Sequence, residues 1–149
     1  MKRFTRPSIA AFLMLMSGCV DQARQQAVEI NRQAEGSNSP FRQSFERDPV
    51  TGSTRWQQVM IVLPKEPSRA SRAVRSRIMD GIRDRETKLQ RPSPRLKEVL
   101  LLPNNREVWV LQHQEGIAYI IDLKGSSGYS IAGPESFVRN PAYSDLPYE

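Results

Sequence analysis

Residues 96–123, LKEVLLLPNNREVWVLQHQEGIAYIIDL, decide the fold. Three apolar runs are separated by two short turns. Leu96 to Leu102 is the first run, and Pro103-Asn104-Asn105 turns it into Glu107 to His113. Gln114-Glu115-Gly116 then turns into Ile117 to Leu123. Turns this short force antiparallel neighbours. In the third run Ile117, Tyr119, Ile121 and Leu123 share one face, with Ala118, Ile120 and Asp122 opposite. Gly125-Ser126-Ser127-Gly128 ends that run as a turn, and Tyr129 to Ala132 reads as a short edge strand.

Upstream, Val59-Met60-Ile61-Val62-Leu63 is a short apolar run ending at Pro64, the form of a largely buried strand. Pro67 to Leu89 reads as a helix, because Pro67 suits a first turn and Pro92 stops the element. Its apolar stripe is Ala70, Val74, Ile78, Ile82 and Leu89, and Gly81 allows a close approach to a sheet. The predicted domain therefore spans 56–132. Its fold class is α+β, a β-α-β-β-β order with one helix packed across a small antiparallel or mixed sheet.

The flanks read differently. Val20, Ala23, Ala27, Ile30 and Ala34 recur at helical steps over residues 20–35, the mark of a weakly amphipathic short helix. Residues 36–55 read as polar linker, with Phe41 and Phe45 as the exception, able to dock on the domain or on a partner. Pro134, Pro141 and Pro147 make 133–149 a Pro-rich tail.

Catalytic chemistry has little material. One Cys and one His among the 149 residues exclude an internal disulfide, a Cys-based zinc finger and a multi-His metal site. No nucleophile elbow, phosphate-cradling glycine loop or metal-ligand spacing appears, so no metal and no cofactor is expected. His113 sits at a strand end, where Asp122 or Glu115 is the candidate acidic partner for a general base. An envelope hydrolase built around His113 is the enzymatic alternative. Asp80, Asp84 and Glu86 read as surface partners of Arg77, Arg83 and Lys88.

The N-terminus carries Lys2, Arg3 and Arg6, then the apolar run Ile9 to Met16, then Ser17-Gly18-Cys19. A basic start, a short apolar centre and small residues have the layout of a secretory signal peptide. The apolar run is too short for a lasting membrane span. Leu15-Met16-Ser17-Gly18-Cys19 resembles the lipobox of bacterial lipoproteins. The resemblance covers residues 1–19 only. It implies a signal peptide over 1–18, cleavage before Cys19, lipidation of Cys19 with acyl chains such as palmitate, and anchoring at a membrane. Val20 after the Cys implies the periplasmic face of the outer membrane. Residues 19–55 would then hold the folded part away from that membrane.

The chain has 22 basic and 16 acidic residues, and three of the basic ones lie in 1–18. Half of the apparent net charge of +6 therefore leaves with the signal. What remains is uneven: residues 65–97 hold eleven basic and four acidic side chains, residues 98–149 three and seven. If the apolar stripe of 67–89 meets the sheet, its arginines fan outwards. Arg69, Arg72, Arg75 and Arg83 are then a candidate surface for an anionic envelope partner. Nucleic acid is not expected, since no aromatic residue is interleaved to stack on bases. A cytoplasmic nucleic-acid binder would require the signal to be misread. The expected function is a binding or assembly module, of the kind that serves a secretion or conjugation apparatus.

Overall fold

The computed structural model describes residues 9–47, 50–113 and 116–138, and the side chains of 22–44, 50–53, 56–113 and 116–138. The element order is α1 (Ile9–Gly36), β1 (Phe41–Arg47), β2 (Thr54–Met60), α2 (Arg72–Lys88), β3 (Leu96–Leu102), β4 (Arg106–Leu111), β5 (Gly116–Lys124) and β6 (Gly128–Phe137). It is an α+β fold with two antiparallel sheets, a hairpin β1-β2 and a meander β3-β4-β5-β6.

The meander follows from the two short turns. Trp109 sits opposite Val99 on β3 and Tyr119 on β5, and Val110 opposite Glu98 and Ala118. Asn104 and Asn105 take positive φ of 60° and 57°, a conformation that Asn tolerates better than most residues. Both faces of the sheet are apolar. Val99, Trp109, Leu111, Ile117, Tyr119 and Ile121 pack on Val74, Ile78 and Ile82 of α2. Leu100, Leu102, Val108, Val110, Ala118 and Phe137 form a second core with Phe41, flanked by Met60 and Leu63. Gly81 does allow the predicted close approach: a Cβ there would lie 2.9 Å from Cδ1 of Ile131 on β6.

The second face is covered by chain that crosses it. The amide of Val138 donates to the Gln58 carbonyl at 2.8 Å, beside the β6 edge. Six residues later the Pro64 carbonyl accepts from Leu101 at 2.9 Å, and the Glu66 amide donates to Val99, both on the β3 edge. Residues 59–63 therefore run beneath the sheet from one edge to the other. At about 3.3 Å per residue, that stretch matches the width of four strands about 4.8 Å apart.

Several boundaries depart from the sequence reading. The helix begins at Arg72, not Pro67, with Ser71 as its N-cap accepting from the Val74 amide at 3.3 Å. Residues 68 and 69 are instead held by the Glu107 carboxylate, which accepts from Ser68 Oγ at 2.8 Å and from the Arg69 amide at 2.6 Å. Leu89 caps the helix and is exposed, so it leaves the apolar stripe. The strand expected at 59–63 is β2 at Thr54–Met60, and it belongs to the hairpin rather than the meander. Residues 41–47, read as linker, form β1 along the whole of β2, from Phe41 opposite Met60 to Arg47 opposite Thr54. The edge strand runs past Pro134 to Phe137. Its pairing with β5 is irregular at Ala118/Ile120, and Pro is tolerated on an edge at such a bulge. Residues 139–149 of the expected tail, and Glu115, lie outside the described residues.

The short helix expected over 20–35 is part of α1. It lies against the hairpin through Ala27 and Asn31, both 4% exposed, while Ile30 of the expected apolar stripe faces solvent. Asn31 Nδ2 donates to the Gln43 carbonyl at 2.9 Å, and its Oδ1 accepts from the Gln43 amide at 2.7 Å. One side-chain amide thus pairs β1 as a neighbouring strand would. Removing it leaves two backbone groups of Gln43 without their partner, at about 1–3 kcal/mol each where burial keeps water out. Asn31→Ala is therefore expected to lower the urea midpoint and to speed amide exchange at Gln43. Unchanged exchange at Gln43 would mean that Asn31 does not hold the hairpin.

Candidate functional site

A cleft of about 410 Å³ opens where α2 ends and β4 turns into β5, lined by Glu86, Pro92 to Pro94, Leu111, Gln112, His113 and Ile117. The turn that leads from α2 into this wall closes with Gln90 in a left-handed conformation (φ 57°), and the Arg91 amide donates to the Glu86 carbonyl at 2.9 Å. Leu111 and Ile117 supply an apolar wall, while Gln112 and His113 are exposed at the rim.

Glu86 is the buried polar group of this cleft, only 2% exposed. Its Oε1 accepts from the Tyr119 hydroxyl and lies 3.4 Å from Arg91 Nη1. Burial, and then the hydrogen bond to Glu86, push the Tyr119 phenol above its ordinary pKa. Glu86 does not join Arg83 or Lys88 on the surface as the sequence reading had it. Val74, Ile78, Ile82 and Glu86 succeed one another at four-residue steps and all point at the sheet. That spacing was the available signal, and the carboxylate obscured it. Asp80 does meet Arg83, at 2.6 Å. Arg77 donates instead to the Ser127 carbonyl and stands over the Tyr129 ring.

His113 shares the cleft with Glu86, not with Asp122. Asp122 lies opposite Arg106 at the far end of β4. His113 lies beyond Leu111 at the other end, about 20 Å away by strand rise. Glu107 is a second inward carboxylate that sequence reasoning missed, fully buried beneath α2. Besides Ser68 and Arg69, it accepts from Trp109 Nε1 at 2.8 Å, so it fixes the entry into α2. Among the described residues no group of His, Cys and carboxylates is arranged to hold a metal ion.

The four candidate arginines separate into two places. The side chains of Arg69, Arg72 and Arg75 are exposed at the start of α2, with no hydrogen bond or ion pair from their guanidinium groups among the described residues. Arg83 lies two turns further along, about 12 Å from Arg75, and is partly neutralised by Asp80. Arg75 also lines a shallow cleft of about 500 Å³ with Lys65, Lys97, Glu66 and Glu98. Lys65 approaches Glu98 to 3.6 Å there, so that cleft is of mixed charge. Cys19 falls within α1, and its thiol lies outside the described side chains. Among the described residues no helix is long and apolar enough to cross a membrane.

The Tyr119–Glu86 contact has a measurable pH signature. The folded protein holds the Tyr119 proton more tightly than the unfolded chain, whose value is near 10. The resulting stability is complete below that pH and is lost as pH rises from it towards the folded value. Tyr119→Phe, which strips a donor from buried Glu86, is expected to cost about 1–3 kcal/mol at neutral pH. The gap to the unsubstituted protein should then narrow above pH 10, as denaturant unfolding across pH will show. A gap that stays constant or widens would contradict this.

No family model matches the chain, and neither a curated protein nor a solved structure matches it.

Proposed function

We propose that the chain is a lipid-anchored protein of the bacterial envelope, acylated at Cys19, whose α+β body acts by binding rather than by catalysis. One observation carries this reading: the single Cys follows Ser17-Gly18 directly after a basic start and an eight-residue apolar run. Several acyl chains at one site give stable anchoring, since each buried CH₂ contributes about 0.8 kcal/mol and one chain is marginal. With Val20 next to the Cys, the periplasmic face of the outer membrane is the proposed location.

The body supports a contact role. Arg69, Arg72 and Arg75 offer exposed positive charge at one end of α2, suited to anionic headgroups, glycan carboxylates or an acidic protein surface. An accessory place in a secretion or conjugation apparatus is the form of assembly proposed. The hydrolase alternative keeps His113 in a cleft, but Asp122 is remote and Glu86 is already engaged by Tyr119 and Arg91.

Intact mass of the protein from a bacterial membrane fraction tests the anchor. The expected mass lacks residues 1–18 and carries acyl chains, and Cys19→Ala should abolish both changes and release the protein from the membrane. An unmodified full-length mass in the soluble fraction would overturn the reading. It would make the basic segment 65–97 a nucleic-acid surface to be tested first.

A further inference from the structure

The acyl anchor proposed at Cys19 has a structural neighbour. α1 and β1 are joined by the short turn 37–40 and run antiparallel. Their alignment is set by Asn31 against Gln43, and Ala27, one turn earlier in α1, is also buried. From Asn31 back to Cys19 is twelve residues of helix, a rise of about 18 Å. From Gln43 to Arg47 is four residues of strand, about 13 Å. Val50 lies three residues beyond Arg47, in the turn between β1 and β2, and needs only about 5 Å more to reach the level of Cys19. Packed layers sit about 10 Å apart. Along the arm, the β1–β2 end of the hairpin and Cys19 thus reach the same end of the molecule.

The opposite end of this arm is fixed to the body. Arg106 at the start of β4 reaches the carbonyls of Ser37 and Asn38, both at 3.4 Å, where α1 turns into β1. Gln58 ties the base of the hairpin to β6 through the Ser136 carbonyl and Glu135. The free end carries Val50, 91% exposed, and further down Trp56, 42% exposed. Val50 offers a bare apolar side chain for insertion, and Trp is a residue type that concentrates at headgroup level.

We infer that the tip of the β1–β2 hairpin is a second membrane contact, resting on the lipid surface beside the acyl chains with Val50 at headgroup depth. This rests on the anchoring reading, because only an acylated Cys19 brings that end of the molecule to the bilayer. The two contacts cooperate. The acyl chains raise the local concentration of the tip at the membrane, so one apolar side chain suffices for a contact that it could not hold alone. A two-point attachment also restricts how the body, with its arginines, is presented from the membrane.

The test uses the full chain, produced and processed in a bacterial host and reconstituted in phosphatidylethanolamine–phosphatidylglycerol vesicles. Val50→Cys carries an environment-sensitive fluorophore on its thiol, and Ser126→Cys in the exposed β5–β6 turn serves as the distant control. Both substitutions are at exposed positions, and urea unfolding of each variant checks that the fold is kept. With a mass that shows acyl chains on Cys19, the Val50 probe should be blue-shifted. Headgroup-level spin-labelled lipid should quench it severalfold more than the Ser126 probe. Equal quenching at the two positions in acylated protein would overturn the hairpin contact and leave the anchor standing. A mass without acyl chains would overturn the anchoring reading, and the hairpin contact with it.

Discussion

The structure depends on one constraint: the central strands of the meander are apolar on both faces. Val108, Trp109 and Val110 are consecutive and all at most 2% exposed, as are Ile117, Ala118 and Tyr119. A solvated antiparallel sheet alternates, with one face wet. This one needs two covers. α2 supplies the first through Val74, Ile78 and Ile82. The second face cannot be left to water, since each large side chain there is worth about 1.5–3 kcal/mol of burial. Residues 59–63 are drawn across it, and Phe41 is drawn in with them. The hairpin and α1 follow as the chain that leads into that crossing segment.

The consequence is a body and an arm. The body is the meander with α2; the arm is the hairpin with α1 along it. Residues 19–55 are the proposed spacer from the membrane, and from Cys19 to Arg47 they are built of helix and strand. Spacing by paired elements differs physically from spacing by a random coil, because it sets direction as well as distance. The polar groups that stiffen the junctions are few and specific: Asn31 on β1, Arg106 on the 37–38 carbonyls, Gln58 on β6. Glu107 performs the equivalent task in the body, holding the entry to α2.

How much of this was legible in the sequence follows from the same physics. The meander over 96–123 was readable because its turns are short and its apolar runs are continuous. The α2 stripe was readable through Val74, Ile78 and Ile82. The hairpin was not, because Phe41-Arg42-Gln43-Ser44-Phe45-Glu46-Arg47 is polar at most positions and owes its strand to pairing with β2. The Gly, Ser, Asn and Pro residues on either side of it fit a continuous loop as well as two turns. Asn31 shows no pattern of its own, since a buried amide is recognised only by the backbone it pairs. Glu86 and Glu107 sit at inward positions by spacing, four residues after Ile82 and two before Trp109. Their charge made a surface reading the natural one. Of the candidate site, Arg72 and Arg75 lie on α2 and Arg69 just ahead of its Ser71 cap, whereas His113 gained Glu86 as a cleft neighbour in place of Asp122.

The central claim is that residues 19–60 form an ordered arm on the body, not a tether. The most direct measurement is the distance distribution between spin labels on Arg24→Cys in α1 and Ser126→Cys in the body. It is recorded by pulsed electron resonance in a chain carrying Cys19→Ala, so that the labels occupy the only thiols. A single narrow distribution is the predicted result. A broad distribution, of the width that a flexible linker of this length produces, would contradict the account.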